Sequence, residues 1–398
     1  MRRVIFHIDQ NCYFASVEMI SHPEYRDVPM AVAGDEKTRH GIILAKNQLA
    51  SGYGVKTAEP IWQAQSKCPN LVLAQPHYDE YKFYSMRLRE MYEEYSDKVE
   101  PFGLDECWVD MTDACQGRDP KELADEIRAR VRDEFGLTCS VGVSFNKVFA
   151  KLGSDYKKPD ATTVITEEDF RSIVWPLPVS DLLFVGKKTA NYLKQVNINT
   201  IGELANSDPT FIAEYLGKSG PELWNHANGI DNDEVKTTDY VRTVKSVGNS
   251  TTTPNDLTNT SQVQGVLMKI ASKVSYRLRS HNMVAECIQI HIRDNELNIY
   301  EHQKVLTEAT DSDVLIYDAA CKLFEESYSW ERNIRSVGIR CTKLQDAGGG
   351  VQMSIFDTLE NKKKDDKLTG VIDKINERYG QGSIRSAREL FGEDNDEV

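Results

Sequence analysis

Short, mostly apolar runs that meet acidic residues stand out in the hydrophobic pattern of this chain. Residues 4–8 lead directly into Asp9, and residues 103–110 place Asp105 and Glu106 beside a second apolar run. Short apolar runs bounded by polar residues predict buried strands. A carboxylate at the end of a buried strand is costly unless a metal ion or a basic group compensates it. The pattern therefore predicts two strands that each carry acids at or near one end.

Two longer segments show helical periodicity. In residues 78–95 the apolar and aromatic side chains recur three or four positions apart, and in residues 120–135 Leu123, Ile127 and Val131 share one face. Spacing of this kind predicts amphipathic helices whose apolar faces pack against a core. Strands with helices on one face of their sheet predict an α+β unit.

The rest of the chain divides into segments of different character. Residues 12–74 are rich in turn-forming glycine, and Pro176-Leu177-Pro178 marks a boundary before a helical hairpin around Gly186. Residues 229–245 are polar and acidic, as linkers often are. A strand-rich unit begins near residue 245. Its predicted elements are strands at 287–292 and 334–340 and helices at 263–280 and 313–326.

Composition narrows the class of protein. The chain has 398 residues, of which 40% are hydrophobic and 28% charged, values typical of a globular protein with more than one core. It contains no apolar run of about 18 residues and no signal peptide, so no membrane span is expected. Eight cysteines without a Cys-x-x-Cys pair indicate reduced thiols in the cytoplasm and argue against zinc.

The net charge of −14 is unusual for a protein that binds nucleic acid, because such proteins usually carry a basic footprint. Local basic clusters remain near residues 147–158, 187–188, 277–279 and 362–364. Each cluster alone is more typical of a solvated face than of a contact. The charge weakens a nucleic-acid interpretation slightly and predicts weak binding at high salt.

The acidic residues carry the candidate chemistry. Three carboxylates brought together by a fold form the hard-oxygen site that Mg²⁺ prefers. Two such ions can hold the attacking and leaving oxygens of a phosphoryl transfer. A lone aspartate such as Asp9 caps a turn or a helix about as often, so the flanking residues decide between these interpretations.

Four segments, in order along the chain, resemble the motifs of the Y-family (translesion) DNA polymerases. Residues 6–18 resemble the first motif, in which adjacent aromatic residues follow an aspartate, and residues 103–110 resemble the Ser-x-Asp-Glu motif. Residues 140–152 are similar to the Asn-Lys-x-x-Ala-Lys signature, and Lys157-Lys158-Pro159 follows at the expected distance. The resemblance covers about residues 1–345 and is closest to the bacterial polymerase IV branch.

This resemblance implies an α+β fold, a right-hand polymerase with a ferredoxin-like palm, small fingers, a helix–hairpin–helix thumb and a βαβ-type little-finger domain. The implied segments are palm 1–11 and 75–170, fingers 12–74, thumb 171–230, linker 231–243, little finger 244–345 and tail 346–398. It also implies template-directed extension of a primer with dNTPs, at low fidelity and without proofreading.

The resemblance assigns the catalytic residues as Asp9, Asp105 and Glu106. Together with the carbonyl of Gln10, they would hold two Mg²⁺ ions. Asp110 lies farther along the same strand and is expected to be structural. Gly103 stands where the family usually has serine, which would remove some local hydrogen bonding.

The nucleotide would contact Cys12, Tyr13, Phe14 and Lys158. Phe14, five residues after Asp9, matches the steric gate whose ring leaves no space for a ribose 2′-hydroxyl; the alternative is an ordinary core aromatic. Lys158 matches a lysine that contacts the triphosphate.

The chain departs from the family pattern beside this site. Many relatives have tyrosine and arginine where this chain has Gln48 and Ser51. Lys46 or Lys56 could substitute, but lysine offers a point charge rather than a bidentate fork. This departure bears on nucleotide affinity and not on the class of reaction.

Contacts with DNA are implied for Gly186 and Lys187 in the thumb hairpin, where a glycine lets backbone N–H groups approach a phosphate. An ordinary helical hairpin is the alternative there. Arg335 and Arg340 match basic positions on the last strand of the little finger, with simple solvent exposure as the alternative.

A further segment, Gln352-Met353-Ser354-Ile355-Phe356, resembles the peptide that binds the bacterial sliding clamp. Ile355 and Phe356 would fill apolar pockets while Gln352 makes polar contacts, and Ser354 belongs to the same implied clamp-binding residues. A chance pentapeptide or a short strand is the alternative. The implied partners are primer–template DNA, a dNTP and the sliding clamp, with the chain itself a monomer.

Two other classes of protein remain as alternatives. A non-catalytic repair factor that binds DNA and the sliding clamp would explain the changes at Gln48 and Ser51, although it has no need for the costly acids. A nucleotidyl cyclase uses similar paired carboxylates, but it has no need for a thumb hairpin, a little finger or a clamp peptide.

Overall fold

The structure is a computed structural model that describes residues 3–35, 41–347, 370–375, 378–380 and 383–384. The chain forms two compact units, of which the first extends to Val241 and the second begins at Arg242. Within the described residues, every helix is too short or too polar to cross a membrane.

The first unit contains a five-stranded and a three-stranded sheet. Its strands are β1 (Ile5–Gln10), β2 (Met30–Ala33), β3 (Ile43–Lys46), β4 (Val72–Ala74), β5 (Val99–Pro101), β6 (Glu106–Asp110), β7 (Cys139–Ser144) and β8 (Thr162–Ile165). The larger sheet has the order β5-β6-β1-β7-β8, and the smaller one has the order β3-β2-β4. In the larger sheet β1 runs antiparallel to both of its neighbours.

Eleven α-helices in the described part of this unit cover the two sheets and continue the chain beyond them. They are α1 (Tyr13–Ser21), α2 (Gln48–Gly52), α3 (Ile61–Lys67), α4 (Tyr78–Glu93), α5 (Pro120–Phe135), α6 (Lys147–Tyr156), α7 (Phe170–Val174), α8 (Lys187–Gln195), α9 (Ile201–Ala205), α10 (Pro209–Leu216) and α11 (Gly220–Ala227). The two helices predicted from periodicity are confirmed as α4 and α5.

The alternation of side chains along β1 decides which face of the large sheet carries the acids. Phe6 and Ile8 belong to the core that α4 and α5 cover, whereas Ile5 packs with Ala150 of α6 on the opposite face. Asp9 has the same parity as Ile5. It therefore lies on the α6 side.

A glycine in β7 allows α6 to lie directly on the sheet. A Cβ at Gly142 would lie 1.9 Å from a backbone oxygen and 2.4 Å from a backbone nitrogen of α6. Gly142 stands opposite His7 in the ladder between β1 and β7. The close approach brings Lys151 and Ser154 of α6 within hydrogen-bonding distance of Asp9 and His7, respectively.

The helix α1 joins two cores. Tyr13 and Val17 pack in the core of the large sheet, while Ala15 packs with Met30 and Val32 of the small sheet. The segment 12–74, expected as separate fingers, is therefore anchored to the large sheet through its first helix. After α6, the helices α7 to α11 form a further core to which Phe149 of α6 contributes.

The acidic segment that was predicted to be a linker is bound to the first unit for most of its length. The side-chain amide of Asn146 donates to the carbonyl of Gly229 at 2.9 Å, and Lys147 Nζ lies 2.6 Å from Asp233 Oδ2. Farther along, the N–H of Thr238 donates to the carbonyl of Asp97 at 3.0 Å. The acids of this segment thus act partly as ion-pair partners.

The second unit has a four-stranded antiparallel sheet with two helices on one face. Its elements are β9 (Ser246–Leu257), α12 (Thr260–Ser280), β10 (Met283–Asp294), β11 (Ile299–Thr310), α13 (Asp313–Ser327) and β12 (Ile334–Asp346). The strand order is β11-β10-β12-β9. The strand β11 was not predicted from the sequence, because only Thr310 of its 12 residues is buried and the hydrophobic signal is correspondingly weak.

Candidate active site

Asp9 and Glu106 stand directly opposite each other in the ladder between β1 and β6. Asp9 is only 5% exposed. One ligand atom each of His7, Asp9 and Glu106 lies within 4.8 Å of the others. The structure therefore brings two of the three predicted acids, Asp9 and Glu106, together. That His7 lies with them was not predicted from the sequence. The signal was available, since residues i and i+2 of a strand share a face.

Asp105 lies immediately before β6 and is not part of that three-residue cluster. Together with Gln10 and Tyr92 it lines a small cavity. Its carbonyl accepts the N–H of Gln10 at 2.9 Å, and the Gln10 side chain donates to the Tyr92 hydroxyl at 2.9 Å. Burial and the charges of Asp9 and Glu106 raise the pKa of Asp105 to about 6. The three acids therefore form one electrostatic site.

Two lysines compensate part of this negative charge. Lys151 Nζ lies 3.0 Å from Asp9 Oδ2 and also pairs with Glu106, while Lys158 Nζ lies 2.8 Å from Asp9 Oδ1. Asp155 accepts from both lysines, at 3.2 and 2.7 Å. Burial opposes the charge of each lysine, but the neighbouring acids outweigh it and raise the pKa of both. Lys158, for which the sequence predicts a triphosphate contact, thus lies at the acids, and Lys151 of the Asn-Lys-x-x-Ala-Lys segment lies there as well.

His7 lies beside Glu106 on the α6 face of the sheet. The imidazole is fully buried, with Nδ1 2.8 Å from Ser154 Oγ and Nε2 3.3 Å from Glu106 Oε2. Burial lowers the pKa of His7, so the ring is neutral at physiological pH. Burial of Glu106 opposes its ionisation, but the charge of Lys151 outweighs that effect and holds the pKa of Glu106 below its ordinary value. Glu106 is therefore ionised.

The donor set suits a hard divalent cation. Carboxylate oxygens from adjacent strands converge, and hard cations such as Mg²⁺ prefer oxygen ligands. The raised pKa of Asp105 means that the two lysines leave part of the acidic charge uncompensated. A cation bound at the carboxylates would relieve that repulsion.

Three predicted nucleotide contacts begin α1, directly after the end of β1. Cys12 precedes the helix with a φ of 50°, in the left-handed region. Tyr13 is buried, and its hydroxyl donates to the carbonyl of Tyr81 at 2.6 Å. Phe14 is half-buried, and its ring stacks on that of Tyr81 with a centroid distance of 4.2 Å and an interplanar angle of 11°.

The helix α2 carries both unusual residues and places Gln48 beside Cys12. Gln48 Nε2 lies 3.5 Å from Cys12 Sγ, and the Ser51 hydroxyl donates back to the carbonyl of Asn47 at 3.1 Å. Burial raises the pKa of the Cys12 thiol, and the charge of Lys46 opposes that shift. Of the two lysines expected to substitute for the missing arginine, Lys46 thus acts electrostatically on Cys12.

Gly103 has a backbone conformation of its own, and the hydrogen bonding expected to be lost with the serine side chain stays a prediction. It has a φ of 102°, a conformation that favours glycine, and its carbonyl accepts from Arg89 at 2.9 Å. Asp110 behaves as the sequence suggested, because its carboxylate accepts from the N–H and hydroxyl of Thr112 at 3.1 and 2.6 Å.

The predicted DNA contacts differ in their settings. Gly186 precedes α8 in extended conformation, with open space around it, and Lys187 is the first residue of that helix and exposed. In the second unit, Arg340 lies with Arg277 in an open polar groove on the sheet, whereas Arg335 is not among the residues that line it. The clamp-like segment with Gln352, Ser354, Ile355 and Phe356 lies outside the described residues.

Comparison with known proteins identifies two matching family models. The model of the impB/mucB/samB family matches residues 8–155, and the model of the C-terminal domain of that family matches residues 244–355.

Relatives match over nearly the whole chain. A DNA polymerase IV of Acetivibrio thermocellus is 45% identical over 97% of this chain and 97% of its own length. DNA polymerase IV 1 of Bacillus subtilis is 37% identical over 98% of this chain and 94% of its own length. Among solved structures, a Y-family DNA polymerase chimera is similar with a TM-score of 0.75 and 23% identity, covering 85% of this chain and 98% of the chimera. That structural similarity confirms the predicted fold.

Proposed function

Because the chain belongs to the impB/mucB/samB family and is a DNA-directed DNA polymerase of the bacterial polymerase IV type, we propose that it extends a primer 3′-hydroxyl with dNTPs by a two-metal phosphoryl transfer. The synthesis is of low fidelity and continues past damaged template bases. The proposed reaction does not include proofreading.

The observation that carries this proposal is the alignment of Asp9 with Glu106 across β1 and β6, with Lys158 bonded to the same aspartate. Asp9 and Glu106 both lie within regular strands, so the strand register alone places the two carboxylates next to each other. A site on regular strands is rigid, and rigid placement is the main contribution a protein makes to phosphoryl transfer.

Different residues of this chain have different proposed roles in the reaction. Asp9, Asp105, Glu106 and the carbonyl of Gln10 would hold the two Mg²⁺ ions. When bound, such ions lower the pKa of the attacking hydroxyl and neutralise charge on the triphosphate. Lys158 is positioned to turn from Asp9 toward a triphosphate that arrives at the site.

Phe14 would lie beneath the sugar of the incoming nucleotide. Its ring excludes the 2′-hydroxyl of a ribonucleotide by bulk, and the absence of a hydroxyl on Phe14 does not weaken a steric effect. Support comes from its position at the start of α1, directly after the strand that carries Asp9, and from the half-buried state of the ring.

Primer–template DNA would contact Lys187 at the start of α8 and Arg340 in the second unit, and a sliding clamp would bind residues 352–356. The polymerase would act as a monomer that the clamp holds on DNA. Since Lys147, Lys151 and Lys158 are engaged in ion pairs, they are less available to DNA phosphates, and binding should be weak at high salt.

Primer extension on an undamaged template with Mg²⁺ tests the proposal, with dNTPs and rNTPs offered separately. The wild-type protein should extend with dNTPs only and in short runs. Asp9→Ala combined with Asp105→Ala should reduce extension at least about a thousandfold, since metal ions supply several kcal/mol to the transition state. Binding of the primer–template by the double variant should persist.

Two outcomes would overturn the proposal. Extension that survives in the double variant would remove the acids from the reaction. Absence of extension in the wild-type protein, despite measurable DNA binding, would favour the non-catalytic factor that binds DNA and the clamp.

A further inference from the structure

A buried carboxylate that the proposed reaction does not use lies one helical turn after Phe14. Glu18 is 1% exposed and has two partners from outside its helix. The Tyr81 hydroxyl donates to Glu18 Oε1, and His77 Nδ1 lies 2.9 and 3.1 Å from the two carboxylate oxygens. A charge this deeply buried is retained only where its partners are fixed.

Tyr81 connects this carboxylate to the proposed steric gate. Its ring is fully buried and lies parallel to the ring of Phe14 at 4.2 Å. Tyr13 binds the backbone of Tyr81, and Tyr78 contacts the Phe14 ring edge-on at a centroid distance of 5.9 Å. Phe14 and Glu18 belong to α1 and Tyr81 to α4, so the hydrogen bond joins two helices at the level of the gate.

A steric gate is selective only if its ring cannot retreat. The extra oxygen of a ribose must clash with an aromatic ring that has a rigid support behind it, and packed interiors supply such support. Stacking alone allows one ring to slide over another. The hydrogen bond between the Tyr81 hydroxyl and Glu18 holds the Tyr81 ring in place. The Phe14 ring, which stacks on it, is then prevented from moving as well.

We propose that Glu18 is a specificity-determining residue of this polymerase, which acts through Tyr81 to hold Phe14 against the sugar of the incoming nucleotide. This inference rests on the proposed function, in which Phe14 is the steric gate. Glu18 is a positioning residue, because it contacts neither the nucleotide nor the metal ligands. The substrate class that it excludes is the ribonucleoside triphosphates.

The experiment measures kcat/KM for a correct dNTP and for the matching rNTP in single-nucleotide incorporation. Tyr81→Phe keeps the stacked ring and removes the hydroxyl, and we expect it to lower the dNTP/rNTP preference about tenfold, as expected for loss of a hydrogen bond to a charged group. Glu18→Ala should lower it at least as much. Glu18→Gln keeps an acceptor and should restore most of the preference.

Two further variants make the outcomes distinguishable. Phe14→Ala removes the gate and should abolish most of the preference. Tyr95→Phe removes a similar hydrogen bond, from Tyr95 to Glu126 at 3.1 Å, just beyond the other end of α4, and should leave the preference unchanged.

If Phe14→Ala admits ribonucleotides while Tyr81→Phe and Glu18→Ala both retain wild-type preference, the role of Glu18 is overturned and the gate stands. If Phe14→Ala retains the preference as well, the gate itself is wrong. Tyr81→Phe preserves the packing of the core, so it decides the question even if Glu18→Ala does not fold. A loss of preference in Tyr95→Phe would show a general effect of stability and would also overturn the inference.

Discussion

At position 142 the absence of a side chain decides where the lysines of the active site lie. Gly142 lets α6 rest on β7, and from that position Lys151 reaches Asp9 at 3.0 Å. The contacts that a Cβ would make are with backbone atoms, which cannot rotate away. The position of the whole helix therefore depends on this one residue.

We expect Gly142→Ala to lower the free energy of unfolding by at least about 3 kcal/mol, because overpacking against backbone must displace α6. Chemical denaturation of the purified variant measures this change. Gly52→Ala is the matched control, since a Cβ there meets nothing within 4 Å and should leave stability unchanged or slightly raised. A stability of Gly142→Ala equal to that of the control would contradict the packing described for α6.

A second prediction about a single residue concerns Lys158. Lys158→Met should raise KM for dNTPs about 10- to 100-fold with a smaller effect on kcat, as expected for loss of a charge-assisted contact with the triphosphate. Steady-state kinetics with one correct dNTP measures KM and kcat separately. Lys157→Met alters the neighbouring exposed lysine and should leave KM near the wild-type value. An unchanged KM in Lys158→Met would remove that lysine from nucleotide binding.

The sequence could predict Asp9, Glu106 and Lys158 because their motifs are local and ordered along the chain. His7 and Lys151 were missed because their roles depend on the face of β1 and on the approach of α6 at Gly142. Strand alternation does show that His7 shares a face with Asp9, whereas the approach of α6 at Gly142 is not visible in hydrophobic periodicity. Glu18 is a similar case, since its partners His77 and Tyr81 lie about sixty residues away in the sequence.

Among the elements, the turn between β10 and β11 is built around one aspartate. The carboxylate of Asp294 is fully buried and accepts from the N–H groups of Glu296 and Asn298, both at 2.9 Å, and from the Asn298 side chain at 2.8 Å. Burial opposes its charge, but these hydrogen bonds outweigh that effect and hold the pKa of Asp294 below its ordinary value.

A folded-state pKa below the unfolded one contributes stability above the unfolded pKa, and that stability is lost as the pH falls through the folded pKa. We therefore expect Asp294→Asn to lower the melting temperature of the second unit at neutral pH, with the difference shrinking below about pH 4. Thermal unfolding followed across pH measures it. Glu296→Gln, in the same turn but exposed, should change little. A constant difference between neutral and acidic pH would contradict the role of the Asp294 charge.

Element boundaries show where sequence patterns succeed and fail. The helices α4, α5, α12 and α13 were found because buried positions recur three or four residues apart. The strand β11 was missed because it lies at the edge of its sheet with nearly every side chain partly or fully exposed. The supposed linker was recognised by composition, which does not reveal that Lys147 binds Asp233.

For the whole molecule, the net charge of −14 is compatible with the proposed reaction on DNA because the DNA contacts that we propose are local. The basic cluster at residues 147–158 is largely engaged in ion pairs with Glu100, Asp233, Asp9 and Asp155. If DNA binding is weak as predicted, recruitment by a sliding clamp would raise the effective concentration of the polymerase on DNA.

We expect Ile355→Ala combined with Phe356→Ala to weaken binding to the sliding clamp of the same organism about 30-fold or more, since apolar anchors of this kind dominate peptide affinity. Titration of the clamp measures the affinity. Primer extension without the clamp should be unchanged, and Met353→Ala should bind the clamp nearly as well as the wild-type protein. Unchanged clamp affinity in the double variant would exclude this segment as the clamp peptide.

The number of divalent ions bound at the acids tests the central claim most directly. Mn²⁺ can be counted by electron paramagnetic resonance in the complex with primer–template DNA and a non-hydrolysable dNTP. The account predicts two ions per protein in the wild type and at most one in the variant with Asp9→Ala and Asp105→Ala. Two ions in both proteins, with the nucleotide equally bound, would contradict the assignment of these carboxylates as the metal site.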